Sequence, residues 1–171
     1  MAEEPVIHPQ ADIGHVHLKV SDLDRSVAFY RDVLGFTVME RGRGAAFLSA
    51  GGYHHHIGLN TWFSEGGERA PASAPGLYHA AIRYPNRLEL ARATERILRH
   101  GIAPRLYEDH GVSEAVYFED PDGNGVEIYH DRDRSLWPRD ADGAIAMTSR
   151  EFEVEDLLKE LAKESVAEPT S

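Results

Sequence analysis

The 171-residue sequence contains no cysteine, and this absence removes several chemistries at once. Disulfide bonds, thiolate metal sites and a cysteine nucleophile are all excluded. Long apolar runs are missing too, since no stretch approaches the roughly 20 residues that a helix needs to cross a bilayer. The N-terminal sequence MAEEPVIHPQ is acidic and has no apolar core, which is not typical of a signal peptide. We therefore expect a soluble, cytoplasmic protein with no membrane partner.

Positive charge is also scarce. The chain has 18 Lys and Arg against 29 Asp and Glu, a formal net charge of −11. Such a surface repels a phosphate backbone, so nucleic acid is not an expected partner. What the sequence does have is ten histidines beside these many carboxylates. That stock suits a metal site with nitrogen and oxygen ligands.

The order of predicted elements repeats once along the chain. Residues 12–63 predict a strand, a helix and three strands, in the segments IGHVHLKV, SDLDRSVAFYRDVLGF, FTVMER, GAAFLSA and HHHIGLN. A small, polar linker follows at 64–76, and residues 77–131 then predict the same series. Outside the two modules we expect an N-terminal extension at 1–11 and a C-terminal loop and acidic helix at 132–171.

Three side chains occupy related places in this repeat. His15 lies in the first strand of the first module, His79 in the first strand of the second, and Glu127 in the final strand. Two histidines and one carboxylate on separate strands can converge on one face of a curved sheet, and they are the usual ligands of non-haem Fe(II). Spacing alone also admits His17, because it faces the same side of a strand as His15.

Three longer segments resemble one known family. They are GHVHLKVSDLDRSVAFYRDVLGF at 14–36, GLYHAAIRY at 76–84 and VSEAVYFEDPDGNGVEIY at 112–129. The chain resembles the vicinal oxygen chelate superfamily, which includes glyoxalase I, bleomycin-resistance proteins and type I extradiol dioxygenases. Within it, the chain is most similar to single-unit catechol 2,3-dioxygenase-like proteins. The resemblance implies an α+β fold in which two paired βαβββ modules form a cupped mixed β-sheet around a metal site, and the sequence adds a C-terminal helix.

The resemblance also assigns metal ligands. Matched position by position, it implies that His15, His79 and Glu127 hold a divalent metal ion. Fe(II) is the first expectation, with Mn, Ni, Co and Zn as alternatives.

The histidine run in GGYHHHIGLN leaves two alternatives open. An extradiol alignment gives His55 an acid–base role, whereas a glyoxalase-type alignment makes His56 a fourth metal ligand. On an undistorted strand these two side chains face opposite ways, so the alternatives are exclusive. The remaining roles are implied for the substrate pocket: His110 and Tyr117 bind substrate oxygens, and Trp62, Phe47 and Tyr53 supply apolar walls.

The implied function is extradiol ring cleavage of a catechol-type aromatic with dioxygen. Two alternatives stay open, a glyoxalase-like metal-dependent lyase or isomerase and a protein that binds an antibiotic or another small molecule. A homodimer is a further expectation. The sequence does not decide whether the two modules pair within one chain or between chains.

Overall fold

A computed structural model describes residues 6–167, with side chains described as far as residue 163. The outermost parts of the two predicted terminal segments, 1–5 and 168–171, lie outside the described residues. The first module contains β1 (Val16–Lys19), α1 (Leu23–Ala28), β2 (Thr37–Gly42), β3 (Ala45–Ser49) and β4 (Ile57–Asn60). Helix α1 continues as a π-helical turn over Phe29–Val33.

The second module repeats this order. It contains β5 (Ala80–Tyr84), α2 (Arg87–Arg99), β6 (Leu106–Asp109), β7 (Ser113–Glu119) and β8 (Gly125–Asp131). A short 3₁₀ turn over Arg134–Leu136, the two-residue strand β9 (Arg150–Glu151) and helix α3 (Val154–Ala167) follow. None of the helices within residues 6–167 is long and apolar enough to cross a membrane.

The two sheets arrange the four strands of their module in the same order, and the second sheet has β9 as a fifth strand. Their strand orders are β1-β4-β3-β2 and β5-β8-β7-β6-β9. In each sheet the first and last strands of the module pair in parallel, with Val16 opposite Ile57 and Ala80 opposite Val126, and the other pairs are antiparallel. The predicted α+β fold of two βαβββ modules with a C-terminal helix is therefore confirmed.

Each sheet has a helix-covered face and an open face. In β1 and the residues that flank it, the side chains of Leu18 and Val20 are buried in the core, whereas His15 and His17 are exposed on the open face. This is the two-residue alternation of a strand with one face against apolar side chains. The same alternation in β5 buries Ala80. Candidate ligands from both modules are thus presented on the open faces.

The modules contact each other through α1 and the turn between β7 and β8. The buried Tyr30 hydroxyl donates to Asp120 Oδ2 over 3.1 Å. Asp122 accepts hydrogen bonds from the Ser21 backbone (3.2 Å) and the Ser26 hydroxyl (3.2 Å), and it pairs with Arg25 over 2.8 Å. The DPDGNG turn is therefore fixed by polar contacts to the first module rather than left as a free loop.

One predicted strand is shorter than expected. The segment HHHIGLN was predicted to be extended from residue 54, but β4 begins only at Ile57. Gly51 and Gly52 both have positive φ, at 66° and 80°, and form the turn after β3. His54 and His55 are still leaving this turn, so the alternation of an undistorted strand does not apply to them, whereas the backbone of His56 already bonds to Leu48 and Val16.

Candidate functional site

Two of the predicted ligands lie together in the second module. Glu127 lies in β8, where it is buried, and His79 comes directly before β5. Their closest atoms, His79 Nε2 and Glu127 Oε2, are 2.9 Å apart. Gly125 makes this approach possible, because a Cβ there would collide with the Tyr78 carbonyl oxygen and stand 3.0 Å from His79 Cβ.

This pair fits a divalent cation. Metal–nitrogen and metal–oxygen bonds of about 2.1 Å at a right angle separate the two donor atoms by about 3 Å, which is close to the distance seen here. In addition, His79 Nδ1 is buried and has no hydrogen-bond partner among the described residues. Buried ring nitrogens are ordinarily satisfied. A cation bound at Nε2 would leave Nδ1 without such a partner, so the fit to a cation depends on the Nε2–Oε2 pair alone.

Tyr117 and His110 lie beside this pair. Tyr117 lies directly opposite Glu127 across β7 and β8, where its hydroxyl is near enough to interact with the Glu127 carboxylate. His110 Nε2 is 2.8 Å from the Tyr117 hydroxyl. Burial of the phenol, together with the carboxylates of Glu127 and Glu108, raises the pKa of Tyr117 far above its ordinary value. Tyr117 therefore stays protonated and acts as a donor at neutral pH. We call His79, Glu127, Tyr117 and His110 the second-module cluster.

The other predicted residues meet on the open face of the first module. The His55 ring lies 4.5 Å from that of His15 and 5.0 Å from that of Phe47, measured between centroids. His17 contacts Phe47 and Trp62, and Gly58 leaves room for its ring, since a Cβ there would stand 2.8 Å from His17 Cγ. We call His15, His17, Phe47, His55 and Trp62 the first-module cluster.

Within the histidine run, the three side chains have different partners. His55 joins the first-module cluster, and its Nδ1 is also 2.8 Å from His54 Nδ1. His56 Nδ1 instead lies 3.1 Å from the Ser49 hydroxyl and 3.2 Å from the Ala50 backbone nitrogen. The Tyr53 ring lies beside those of His54 and His56, with centroids 4.0 Å and 4.9 Å away. In this arrangement His55, not His56, is the neighbour of His15.

Burial and neighbouring charge act on the His55 imidazole. Partial burial lowers its pKa first, and the adjacent His15, His54, His17 and His56 lower it further. The pKa of His17 is lowered in the same way, by burial and by His15. His55 is therefore neutral at pH 7 and able to accept a proton.

The predicted trio of His15, His79 and Glu127 is not gathered within one chain. Among residues 6–167, no three His, Asp or Glu side chains are placed to hold one ion. β1 and β5 belong to separate sheets. His15 lies with His55, and His79 lies with Glu127.

A cavity of about 280 Å³ opens beside the second-module cluster. His79 and Tyr117 line it, and the sequence did not point to its other walls, which include Tyr78, Arg105, Leu106, Glu108 and Val126. Glu108 could nevertheless have been found from the two-residue alternation along β6. Leu106 lies opposite Tyr117, so Glu108, two residues further along, lies on the same face of the sheet as Tyr117. The aromatic residues predicted as pocket walls, Trp62, Phe47 and Tyr53, lie on the first module instead.

Comparison with known families decides the relationship. Residues 12–128 match the model of the Glyoxalase/Bleomycin resistance protein/Dioxygenase superfamily. The chain belongs to this superfamily. The match covers both modules and ends within β8, just after Glu127, so the C-terminal segment with β9 and α3 lies beyond it.

Several superfamily members are similar over most of this chain. It is 42% identical over 165 residues to "Catechol-2,3-dioxygenase" of Bacillus subtilis, and this alignment covers 92% of this chain and 55% of the relative. It is 34% identical over 122 residues to "Biphenyl-2,3-diol 1,2-dioxygenase 3" of Rhodococcus globerulus, covering 70% of this chain and 63% of that protein. The chain thus spans little more than half the length of these relatives.

A solved structure shows the same fold. The lactoylglutathione lyase of Agrobacterium tumefaciens superposes with a TM-score of 0.57 at 27% identity. The superposition covers 72% of this chain and 96% of that one. Superfamily members with different reactions therefore share this architecture, so the reaction has to be argued from the site.

Proposed function

We propose that this protein is a metal-dependent extradiol dioxygenase that cleaves the ring of a catechol-type aromatic with dioxygen. The observation that carries the proposal is the pairing of His79 Nε2 with Glu127 Oε2 at 2.9 Å beside Tyr117 and an open cavity. The similarity to catechol and biphenyl-diol dioxygenases supports the same reaction class. An apolar cavity of about 150 Å³ holds benzene, so the cavity here has room for one aromatic ring.

His79 and Glu127, with His15 as the third ligand, would hold the metal ion, for which Fe(II) is the first choice. When bound, a divalent metal supplies positive charge that orients two adjacent substrate oxygens and lowers the pKa of a hydroxyl group. The carboxylate of Glu127 offsets part of that charge and so reduces the cost of burying it.

The remaining side chains would handle substrate and protons. His55, with its lowered pKa, accepts a proton from a substrate hydroxyl and can return it later in the reaction. Tyr117 stays protonated, and with its hydroxyl held by His110 Nε2 it offers its oxygen as an acceptor to a substrate hydroxyl. Phe47 and Trp62 would offer flat apolar surfaces to the ring. In the overall reaction one ring carbon–carbon bond breaks and both atoms of dioxygen enter the product.

The test is oxygen consumption by protein reconstituted with Fe(II) in the absence of oxygen and then mixed with a panel of catechols and oxygen. We expect uptake of one dioxygen per catechol and a yellow ring-cleaved product. Glu127→Gln is expected to lose at least about 100-fold in kcat, since it removes a negative ligand. No turnover across the panel with fully loaded protein would contradict the proposal.

The same assay separates the two alternatives. Turnover of a thiol adduct with Ni, Co, Mn or Zn and without oxygen would indicate a lyase or isomerase instead. Tight binding of a small aromatic compound that survives both chelation and His15→Ala would indicate a binding protein.

We further propose that a second copy of the chain completes the metal site. The first-module and second-module clusters each present part of the predicted ligand set on an open face. Large side chains stand exposed near both clusters, with Trp62 57% and Tyr78 87% exposed. A two-fold dimer that brings the first module of one copy to the second module of its partner would build two equivalent sites.

Mixing two inactive variants tests this arrangement. His15→Ala and Glu127→Ala each damage every site in their own homodimers. After unfolding and refolding together, half of the dimers are mixed, and each of these has one intact site if the ligands come from two chains. We then expect about a quarter of the wild-type activity to return. If all ligands come from one chain, no activity returns, and a monomer in solution would lead to the same conclusion.

A further inference from the structure

The C-terminal segment Pro138–Phe152, which lies outside the two modules, packs over the loop that carries His110. We call it the strap. Thr148 N donates to the His110 carbonyl over 2.9 Å, and β9 then pairs with the outer edge of β6. The Phe152 backbone nitrogen donates to the Tyr107 carbonyl over 3.2 Å, which fixes the far end of the strap.

A glycine allows the strap to approach closely. Gly111 has a φ of 76°, and a Cβ at this position would stand 2.9 Å from Pro138 Cγ and 3.0 Å from Thr148 Oγ1. Both distances are shorter than ordinary van der Waals contacts. The loop between β6 and β7 therefore accepts the strap only because residue 111 has no side chain.

The strap reaches the His110 ring through a backbone atom. The Thr148 carbonyl oxygen lies 3.2 Å from His110 Nδ1. A carbonyl oxygen can only accept a hydrogen bond, so the hydrogen must be on Nδ1. Neutral His110 then has a bare Nε2, which can only accept, and the Tyr117 hydroxyl 2.8 Å away becomes its donor.

The competing influence on this ring is Glu108. Its Oε2 lies 3.5 Å from His110 Nε2 and would favour a hydrogen there. That distance is beyond the usual range of a hydrogen bond from nitrogen to oxygen. The Ser149 hydroxyl, also part of the strap, contacts the other oxygen of Glu108. The strap therefore contacts the Nδ1 side of the His110 ring through Thr148, and through Ser149 it contacts Glu108, which lies beside Nε2.

We propose that the strap is a positioning element for the site: the Thr148 carbonyl fixes the tautomer of His110 and thereby turns the Tyr117 hydroxyl hydrogen away from Glu127. A hydroxyl has one hydrogen, so Tyr117 donates either to Glu127 or to His110. With Nε2 bare, it donates to His110. The carboxylate of Glu127 is then left for a cation and for His79.

The first part of this proposal concerns only the ring of His110, and the second part, on Glu127, rests on the proposed metal site. Nitrogen-15 NMR of the histidine rings tests the first part at about pH 8, where an ordinary histidine is neutral. His110→Gln identifies the His110 signals. We expect a protonated Nδ1 and a bare Nε2. A protonated Nε2 in the wild-type chain, with or without a protonated Nδ1, would overturn the proposal.

Two variants displace the strap in different ways. Gly111→Ala introduces the clash with Pro138 and Thr148, and Thr148→Pro removes the backbone donor to the His110 carbonyl. In both we expect the hydrogen to move to Nε2 in a large share of the molecules. Gly101→Ala is the matched control, because Gly101 also has positive φ, at 75°, but a Cβ there meets nothing within 4 Å. An unchanged His110 spectrum in folded strap variants contradicts the proposal.

Binding of Mn(II) tests the second part without any turnover. Loss of an outer partner of a metal site typically costs roughly 10- to 100-fold in affinity, and we expect a rise of this order in the Kd of both strap variants. Gly101→Ala should bind Mn(II) as the wild type does. If the tautomer shifts but the Kd does not, the link from the strap to Glu127 is wrong. If the wild-type chain itself fails to bind metal, the proposed function fails while the tautomer result stands.

Discussion

Single glycines set the shortest distances in the second-module cluster. Gly125 lies in β8, two residues before Glu127 and on the same face of the strand. Because it has no Cβ, the backbone at Tyr78 and His79 can pass close to β8. Its φ is not in the left-handed region, so its role is space rather than backbone conformation. The geometry of the proposed metal site therefore depends on a residue that supplies no ligand.

Gly125→Ala is expected to push His79 away from Glu127 and to weaken metal binding by roughly 10-fold or more, because the new methyl group must displace backbone rather than a flexible side chain. Isothermal titration with Mn(II) measures this effect. Gly42→Ala is the matched control, since Gly42 also lies in a strand and a Cβ there meets nothing within 4 Å. Equal Mn(II) affinities in the two variants would show that the close approach at Gly125 does not position the ligand.

At the scale of elements, the repeat was predictable and the departures from it were not. The helix that the repeat predicted within 77–131 is α2, whose first turn is capped by the Asn86 side chain and whose end is followed by Gly101. In contrast, the histidine run was predicted to be part of a strand from His54 onward. That prediction did not account for the turn at Gly51 and Gly52, after which β4 begins only at Ile57. Strand β9 is only two residues long and is formed by pairing with β6, so no local pattern predicts it.

Helix α3 is the element whose role was predicted least fully. The sequence predicted only an acidic helix in this segment, and the structure shows that α3 packs against α2 of its own chain. Leu157 is completely buried in this contact. The partner of α3 was not predictable, because it depends on how the chain returns after the strap.

Leu157→Ala should destabilise the fold by about 2–5 kcal/mol, the usual cost of removing a large buried aliphatic side chain. Urea unfolding followed by far-UV circular dichroism measures the change. Leu136→Ala removes the same atoms from a side chain that is 67% exposed, and it should change the free energy of unfolding by less than about 0.5 kcal/mol. Similar losses in both variants would mean that α3 does not contribute to the common core.

At the scale of the whole molecule, one buried carboxylate joins elements that are far apart in sequence. Glu114 in β7 accepts from Arg87 Nε over 2.6 Å and from Arg132 over 2.8 Å, and it lies 3.3 Å from His130 Nε2. Arg87 also pairs with Glu160 of α3 over 2.8 Å. Burial alone would raise the pKa of Glu114, but the hydrogen bonds from His130 and Arg87 and the two arginine charges lower it to about 2.

This lowered pKa predicts how the protein unfolds in acid. A carboxyl group with a lower pKa in the folded state stabilises the fold above its ordinary pKa, and this contribution is lost as the pH falls toward the folded value. We therefore expect the free energy of unfolding to decline between about pH 4.5 and pH 2. Glu114→Gln should be less stable than the wild type at pH 7 and should show a shallower decline over this range.

Urea titrations at several pH values measure both effects. Glu68→Gln, which changes an exposed carboxylate, is the control and should follow the wild-type profile. Parallel pH profiles for Glu114→Gln and the wild type would contradict the assigned role of this network.

In the candidate site, as in the fold, the features that one module fixes by itself were predicted, and those that depend on how separate parts of the chain meet were not. His79, Glu127, Tyr117 and His110 were predicted from the repeat and the resemblance, and the structure brings them together in one chain. Their roles stay predictions. What the sequence could not provide is the relation between the two open faces, because that depends on how whole modules meet. Thr148 was equally hidden, since it acts through a backbone carbonyl that any residue possesses.

The outer edges of the two sheets differ in a way that bears on aggregation. Strand β9 covers the edge of β6, whereas β2 has no such neighbour among the described residues. The β2 edge instead contains a bulge between Val38 and Glu40 and the charged side chains of Glu40 and Arg41. Bulges and charges on an edge strand oppose the addition of a foreign strand. Concentrated solutions of this protein should therefore resist fibre growth through β2.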